Sequence, residues 1–299
     1  MNGIATGAEI SYWDVFLLQM SCWMNLLEKY GIPFEISPIS EECSSFCAWG
    51  SATKHHDVIV AHNDDGPRWG QFQVCLIVTP SKGRSFLTPI SVGNVGYHSM
   101  FNDAGLFIGG TSLGDPISED KSNLLETIVY RHLIQYSSSA EEAFERFKKY
   151  DLPGAGNVIF VDSNKAIYVA RVQEHMAPLK TLEDYVVVTN HPIPEEIKRY
   201  LRSRSYPSSV YRYETLVELI KQKHGEIDVA IAKEIMSSHF DWSTKIVNPS
   251  GNTICRHYEF DGLLSGTCRS GIFLPQIKTA HIALGNPCEA EWIITSFRT

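Results

Sequence analysis

The chain reads as an α+β protein built on largely antiparallel sheets. Three observations predict this. Short strand-like runs fill the first third, helical patterns follow in the middle, and strand-like runs return at the C-terminal end. The 299 residues are 43% hydrophobic and 20% charged, an ordinary globular composition with ample core. No internal repeat, low-complexity segment or linker interrupts it, so residues 43–299 read as one domain after a short segment, 1–42.

Residues 11–31 are expected to be helical. Ser11 and Asp14 have capping spacing, Val15, Leu18, Cys22, Leu26 and Leu27 keep one face, and Gly31-Ile32-Pro33 ends it. A polar connector, 36–42, leads to an alternating run that begins Cys43-Ser44-Ser45-Phe46-Cys47 and continues Ala48-Trp49-Gly50. Lys54-His55-His56-Asp57 reads as a turn. The next run starts apolar, Val58-Ile59-Val60-Ala61, and ends polar, His62-Asn63-Asp64-Asp65. Folded as a hairpin, the second strand returns its polar end to Cys43. A thiol and a carboxyl group then meet on two rigid strands, a geometry suited to a cysteine nucleophile with a polar partner.

Further strands are expected at 72–79, 86–92 and 105–111. Helices follow at 124–136 and after a Ser138/Glu141 capping box, with Phe144 and Phe147 inward. A hairpin around Ser163-Asn164 joins 157–162 to 166–172. An apolar strand, 185–190, ends in Thr189-Asn190-His191. Helices at 194–204, 208–224 and 228–240 precede strands at 253–260, 267–274, 281–284 and 292–297.

The net charge of −8 and the lack of a basic stripe exclude a nucleic-acid partner. The longest basic cluster, 198–204, reads as a solvated helix face. Seven cysteines, at 22, 43, 47, 75, 255, 268 and 288, form no CxxC pair, which argues against a disulfide framework and a structural zinc site. His55-His56 on a turn points to water, so no metal or cofactor is expected. Residues 1–10 lack a signal-peptide pattern and no run spans a membrane, so a cytoplasmic setting is the default. Homo-oligomerisation stays open.

Several motifs, in one order, resemble the N-terminal nucleophile hydrolases, in the branch of penicillin acyltransferase and choloylglycine hydrolase. Cys43-Ser44-Ser45-Phe46 with Ala48-Trp49-Gly50 is similar to the nucleophile strand. His62-Asn63-Asp64-Asp65 is similar to an Arg-Asn-x-Asp element, and Asn102-Asp103-Ala104-Gly105-Leu106 to Asn-x-x-Gly-Leu. Thr189-Asn190-His191, Arg212-Tyr213-Glu214 and Gly285-Asn286-Pro287-Cys288 resemble three later elements of the branch. The resemblance implies a four-layer αββα sandwich. It also implies self-cleavage before Cys43, with residues 1–42 as propeptide, after which the freed α-amino group serves as base. The substrate would be the linear amide of an N-acylated small molecule or short peptide.

The resemblance carries roles residue by residue. Cys43 is the nucleophile, and Cys47, four residues on, packs. Asp65 holds the Cys43 amino group. Asn190 donates to the developing oxyanion, with Asn102 as a second polar pocket residue. Arg212 holds the polar network or a substrate carboxylate. His62 stands where the bile-salt-hydrolase side carries arginine; imidazole titrates near neutrality and lacks the arginine fork. Glu42 stands where a small residue is usual. Phe46, Trp49, Trp69 and Tyr97 permit an acyl or aromatic substituent, so His62, Trp69 and Tyr97 are expected to line the substrate site. Two other readings stay open. One is a Cys-His thiol protease based on His191, His257 or His281. The other is a catalytically silent ligand-binding relative.

Overall fold

Strict alternation along the strands gives each of two sheets one face for its partner and one for helices. The computed structural model describes residues 1–19, 42–67, 72–113, 125–152, 154–179, 183–201, 207–260 and 263–297. The first sheet contains β1 (Glu42–Ala48), β2 (Ile59–Pro67), β10 (Tyr185–Val188), β13 (His257–Phe260), β14 (Leu263–Leu274), β15 (Thr279–Ala283) and β16 (Trp292–Ser296). Its order is β10-β1-β2-β14-β15-β16, with β13 also on β14. The second is an antiparallel meander of β3 (Gln73–Val78), β4 (Phe86–Ser91), β5 (Ser99–Asn102), β6 (Phe107–Ser112), β7 (Ala155–Val161), β8 (Ala166–Val172) and β9 (His175–Leu179). A small ribbon, β11 (Phe240–Asp241) with β12 (Ile246–Val247), sits apart.

Three apolar clusters define four layers. Cys47, Val60, Val186, Val188 and Phe273 of the first sheet meet Leu87, Phe101, Phe107, Ile159 and Tyr168 of the second. On the outer face of the second sheet, Phe86, Met100, Ile108 and Phe160 pack on α3 (Glu126–Tyr136) and α4 (Ala140–Phe147). On the outer face of the first, Phe46, Ala61 and Ile272 pack on α6 (Pro207–Gln222) and α7 (Val229–Met236). The architecture is therefore αββα, as the resemblance implied, with the antiparallel sheets expected from the strand pattern.

Local expectations mostly fall in place. Ser11 and Asp14 cap α2 (Tyr12–Gln19) reciprocally, at 3.1 and 3.0 Å. The same helix sends Gln19 into the backbone of Gly93 and Val95, which docks it near the second sheet; α1 (Asn2–Ala8) precedes it. The rest of the expected 11–31 helix, with Cys22, and the 36–42 connector up to residue 41 lie outside the described residues. The α4 capping box is shifted by one residue. Ser139 accepts from Glu142 N–H and Glu142 reaches back to Ser138 N–H, because Ala140, not Glu141, must face the core. The helix expected at 194–204 is one short element, α5 (Glu195–Lys198), among the described residues. None of the described helices is long and apolar enough to cross a membrane.

One irregularity matters for the site. On β14, Thr267 pairs with Asp65 and Arg269 with Asp64, so one step along β2 takes two steps along β14. Cys268 is the extra residue of a β-bulge, and its Sγ donates to the Asp64 carbonyl at 3.3 Å.

Candidate active site

The expected hairpin forms, and its register puts Cys43 opposite Asp64 and Ser45 opposite His62. Side chains of such pairs share a face. Cys47 and Val60 belong to the inter-sheet core, so period two puts Cys43, Ser45, His62 and Asp64 on that inner face as well. Ser44, Asn63 and Asp65 point to the helical layer. Asn63 Nδ2 donates to the carbonyls of Met236 (2.8 Å) and Ile254 (3.0 Å). Asp65 accepts from Thr267 Oγ1 at 2.7 Å.

Cys43 heads a central strand and is 3% exposed. Its N–H donates to Asn190 Oδ1 at 2.8 Å, and its thiol donates to Asp64 Oδ1 at 3.5 Å. Its carbonyl accepts from Arg212 Nη1 at 2.5 Å. Arg212 also donates to Ser44 Oγ (2.8 Å) and, through Nη2, to Asn190 Oδ1 (2.9 Å). It lies wholly buried on the α6 face that covers β1, although a helical arginine is more often solvated.

Asn190 is oriented from two sides. Arg212 can only donate, so the amide oxygen must face it, and the amide nitrogen turns to the Ser112 carbonyl at 2.8 Å. The flanking backbone is pinned to the second sheet. Thr111 Oγ1 donates to the Thr189 carbonyl at 2.6 Å, and Asn157 Nδ2 to those of Thr189 (2.7 Å) and His191 (3.1 Å). Asn190 thus bridges the two sheets at the Cys43 end of β1.

Asp64 and Arg269 form a buried ion pair, Nε to Oδ2 at 2.8 Å. Burial works against the charged carboxylate, yet the guanidinium outweighs it and holds the Asp64 carboxyl below the usual carboxylate range. Arg269 also donates to Gln73 and to Ser91 Oγ, and stacks 3.9 Å from the Tyr97 ring centroid. Tyr97 therefore stands three contacts from the thiol, behind Asp64 and Arg269.

His62 is 2% exposed, and neither ring nitrogen has a hydrogen-bond partner among the described residues. Burial pushes its pKa down to about 4, with Asp64 pulling the other way. One donor atom from each of Cys43, His62 and Asp64 lies within 4.8 Å of the others. Arg269 already neutralises the carboxylate, which makes this trio a poor place for a cation.

The structure does not bring Asn102 to this group. Its Nδ2 donates to the Ile134 and Ser137 carbonyls, both at 2.8 Å, and its Oδ1 accepts from Ala104 and Leu106 N–H. These four bonds tie the turn after β5 to the end of α3. His191 joins Ser209 Oγ (2.8 Å) and Thr189 Oγ1 (3.2 Å), and His257 lies beside Cys288. His281 is on β15. The histidine that approaches the thiol is His62. Trp69 lies outside the described residues.

Asp64 and Arg269 were missed as site residues. Two signals pointed to them: the period-two alternation opposite Cys43, and a lone cation inside the strand-like run 267–274.

The model of the family described as acyl-coenzyme A:6-aminopenicillanic acid acyl-transferase matches residues 51–289. Among solved structures, the N-acylethanolamine-hydrolyzing acid amidase ortholog of Caenorhabditis elegans superimposes with a TM-score of 0.52 at 15% identity, covering 78% of this chain and 93% of that one. A mutant of conjugated bile acid hydrolase from Clostridium perfringens gives 0.51 at 12% identity, over 85% and 97%. At these identities the likeness is one of fold. An uncharacterized protein of Archaeoglobus fulgidus is 26% identical over 275 residues, 79% of this chain; the match spans 45% of that protein's length.

Proposed function

The chain belongs to the acyl-coenzyme A:6-aminopenicillanic acid acyl-transferase family, and on that footing we propose a cysteine-nucleophile enzyme. It opens a linear amide bond of an N-acylated small molecule or short peptide through a thioester. The observation that carries this reading is the threefold hold on Cys43: nitrogen on Asn190, carbonyl on Arg212, thiol on Asp64. A residue held at all three groups is preorganised for attack.

Maturation comes first. The Cys43 thiol attacks the Glu42 carbonyl, the Glu42–Cys43 C–N bond breaks, and water releases residues 1–42 from sulfur. The N–H now donated to Asn190 becomes a free α-amino group. An amine near pKa 7.7–8.0 and a thiol near about 8.5 exchange a proton readily. The amine takes the thiol proton and the thiolate adds to the substrate carbonyl. The amide C–N bond breaks, and the ammonium returns its proton to the departing amine. Water, deprotonated by the same α-amine, then adds to the thioester; the C–S bond breaks and Cys43 recovers its proton. An amine acceptor in place of water gives acyl transfer. Hydrolysis, in the names of the two solved relatives, and transfer, in the name of the family, are the two fates of that thioester.

One observation favours a second reading, in which His62 is the base and the chain stays intact: its ring lies within 4.8 Å of the thiol, by the donor atoms of the Cys43–His62–Asp64 group. An imidazole at about 4 is a much weaker base than a free α-amine, so the first reading is preferred. Intact-mass spectrometry of purified protein separates them. Self-processing gives a fragment that begins at Cys43, and the Cys43→Ala variant gives none and no turnover. A single full-length species that still cleaves amides sinks the amine-base reading.

A further inference from the structure

A second cluster of ligating side chains lies away from Cys43. His239 precedes β11, Cys255 and His257 flank the start of β13, and Cys288 sits in the turn after β15. One donor atom from each lies within 4.8 Å of all the others. Cys255 Sγ and Cys288 Sγ are 3.6 Å apart, far beyond the disulfide bond length of about 2.05 Å. His257 Nε2 is 3.1 Å from Cys288 Sγ and 3.6 Å from Cys255 Sγ. A tetrahedron with Zn–S near 2.3 Å and Zn–N near 2.0–2.1 Å has edges of about 3.4–3.8 Å. The two sulfurs and the His257 nitrogen stand close to those edges.

The surroundings fit ligands as well. His239 Nδ1 lies 2.8 Å from the Cys255 carbonyl, which fixes the tautomer that leaves Nε2 with its lone pair. His257 Nδ1 faces Glu289 Oε1 at 3.8 Å, with Nε2 toward the sulfurs. The Asn286 amide nitrogen approaches Cys255 Sγ at 4.0 Å while it holds the Arg256 carbonyl at 2.8 Å. Histidine ligands usually carry such a second partner on the other ring nitrogen.

We infer that His239, Cys255, His257 and Cys288 form a Cys2His2 site for one zinc ion, structural in role and separate from the Cys43 group. Two thiolates neutralise the ion, and four protein donors leave no open position for catalysis. The spacing escapes a motif search because the ligands come from three segments without a CxxC pair. The site would clamp the 237–256 segment. Within that segment the Ile254 carbonyl accepts from Asn63, and Arg256 N–H donates to Thr267 Oγ1, the same hydroxyl that donates to Asp65. A zinc ion there braces the outer face of β2, whose inner face carries His62 and Asp64.

The test begins with elemental analysis of reduced, full-length protein after exhaustive dialysis, with about one zinc per chain expected. Chelator-stripped protein is then titrated with Co2+ alone. Tetrahedral ligand-field bands and thiolate-to-cobalt charge transfer are expected to saturate at one equivalent. Cys288→Ser, at an exposed position, should lose about half the charge-transfer intensity, and Cys43→Ala should keep all of it. Folded wild-type protein that binds no zinc and shows no charge transfer overturns the site. So does a signal lost with Cys43→Ala, or a non-reduced mass two hydrogens light from a Cys255–Cys288 disulfide.

Discussion

Cys43 and Asp64 face each other across the β1–β2 ladder, thiol to carboxylate at 3.5 Å, with Arg269 on the far oxygen of the same carboxylate. The arrangement keeps a negative charge beside the thiol without leaving it unpaired. It also stakes the centre of the first sheet on one buried ion pair.

That pair can be measured. Arg269→Met leaves the Asp64 carboxylate buried without its counter-ion, and a loss of about 3–5 kcal/mol is expected. The Asp64→Asn/Arg269→Met double variant should recover much of it. Denaturant unfolding of the two singles and the double closes the cycle, and additive losses would mean the pair is not coupled.

Arg212 is a positioning residue, since it holds the Cys43 carbonyl and Asn190 rather than the reacting sulfur. Arg212→Lys keeps the charge but loses the fork. We expect kcat to fall about 100-fold with a smaller change in KM, and slower release of the fragment that begins at Cys43. A variant that processes at the normal rate while losing only KM would place Arg212 on the substrate instead.

Two histidines, His62 fully buried and His191 partly so, predict acid lability. The folded-state pKa values of His62 and His191 are about 4, below the ordinary 6.5. Between these values the unfolded chain binds protons that the folded chain refuses, so stability is full above 6.5 and is lost as pH falls toward 4. Each fully buried ring would contribute roughly 3 kcal/mol over that window, less for the part-exposed His191. His62→Gln should remove the larger share of the slope in a series of denaturant melts from pH 7 to 4. An unchanged slope would show that His62 is already charged in the folded protein.

Cys47 lies in the inter-sheet core, fully buried, and burial pushes its thiol pKa up. Cys47→Ala is expected to cost about 1–2 kcal/mol as a small cavity and to leave kcat/KM and processing intact. Loss of turnover at unchanged stability would assign it a chemical part.

The antiparallel α+β class and the Cys43 hairpin were legible in the sequence because both rest on period two, while the four-layer arrangement followed from the resemblance. The alternation that buries Cys47 and Val60 also fixes what stands opposite Cys43. Arg212 and Asn190 were named through resemblance, but their contact depends on how α6 meets β10, which local pattern does not encode. Asn102 misled because an asparagine that brackets a turn looks the same as one that points into a pocket. Asp65 drew attention through the motif, while the register gives the place beside the thiol to its neighbour Asp64. The Cys2His2 cluster joins positions 49 residues apart in sequence at its extremes, His239 and Cys288, so only the folded chain displays it.

The bulge at Cys268 gives a single strand two addressees. In a regular strand Thr267 and Arg269, two residues apart, would point the same way; across the bulge a hydroxyl reaches Asp65 outside the sheet and a guanidinium reaches Asp64 inside. What matters is that residue 268 stays out of the ladder: paired opposite Asp64 instead, it would push Arg269 opposite Asn63 on the outer face, stranding a cation among the helices and an anion beside the sulfur.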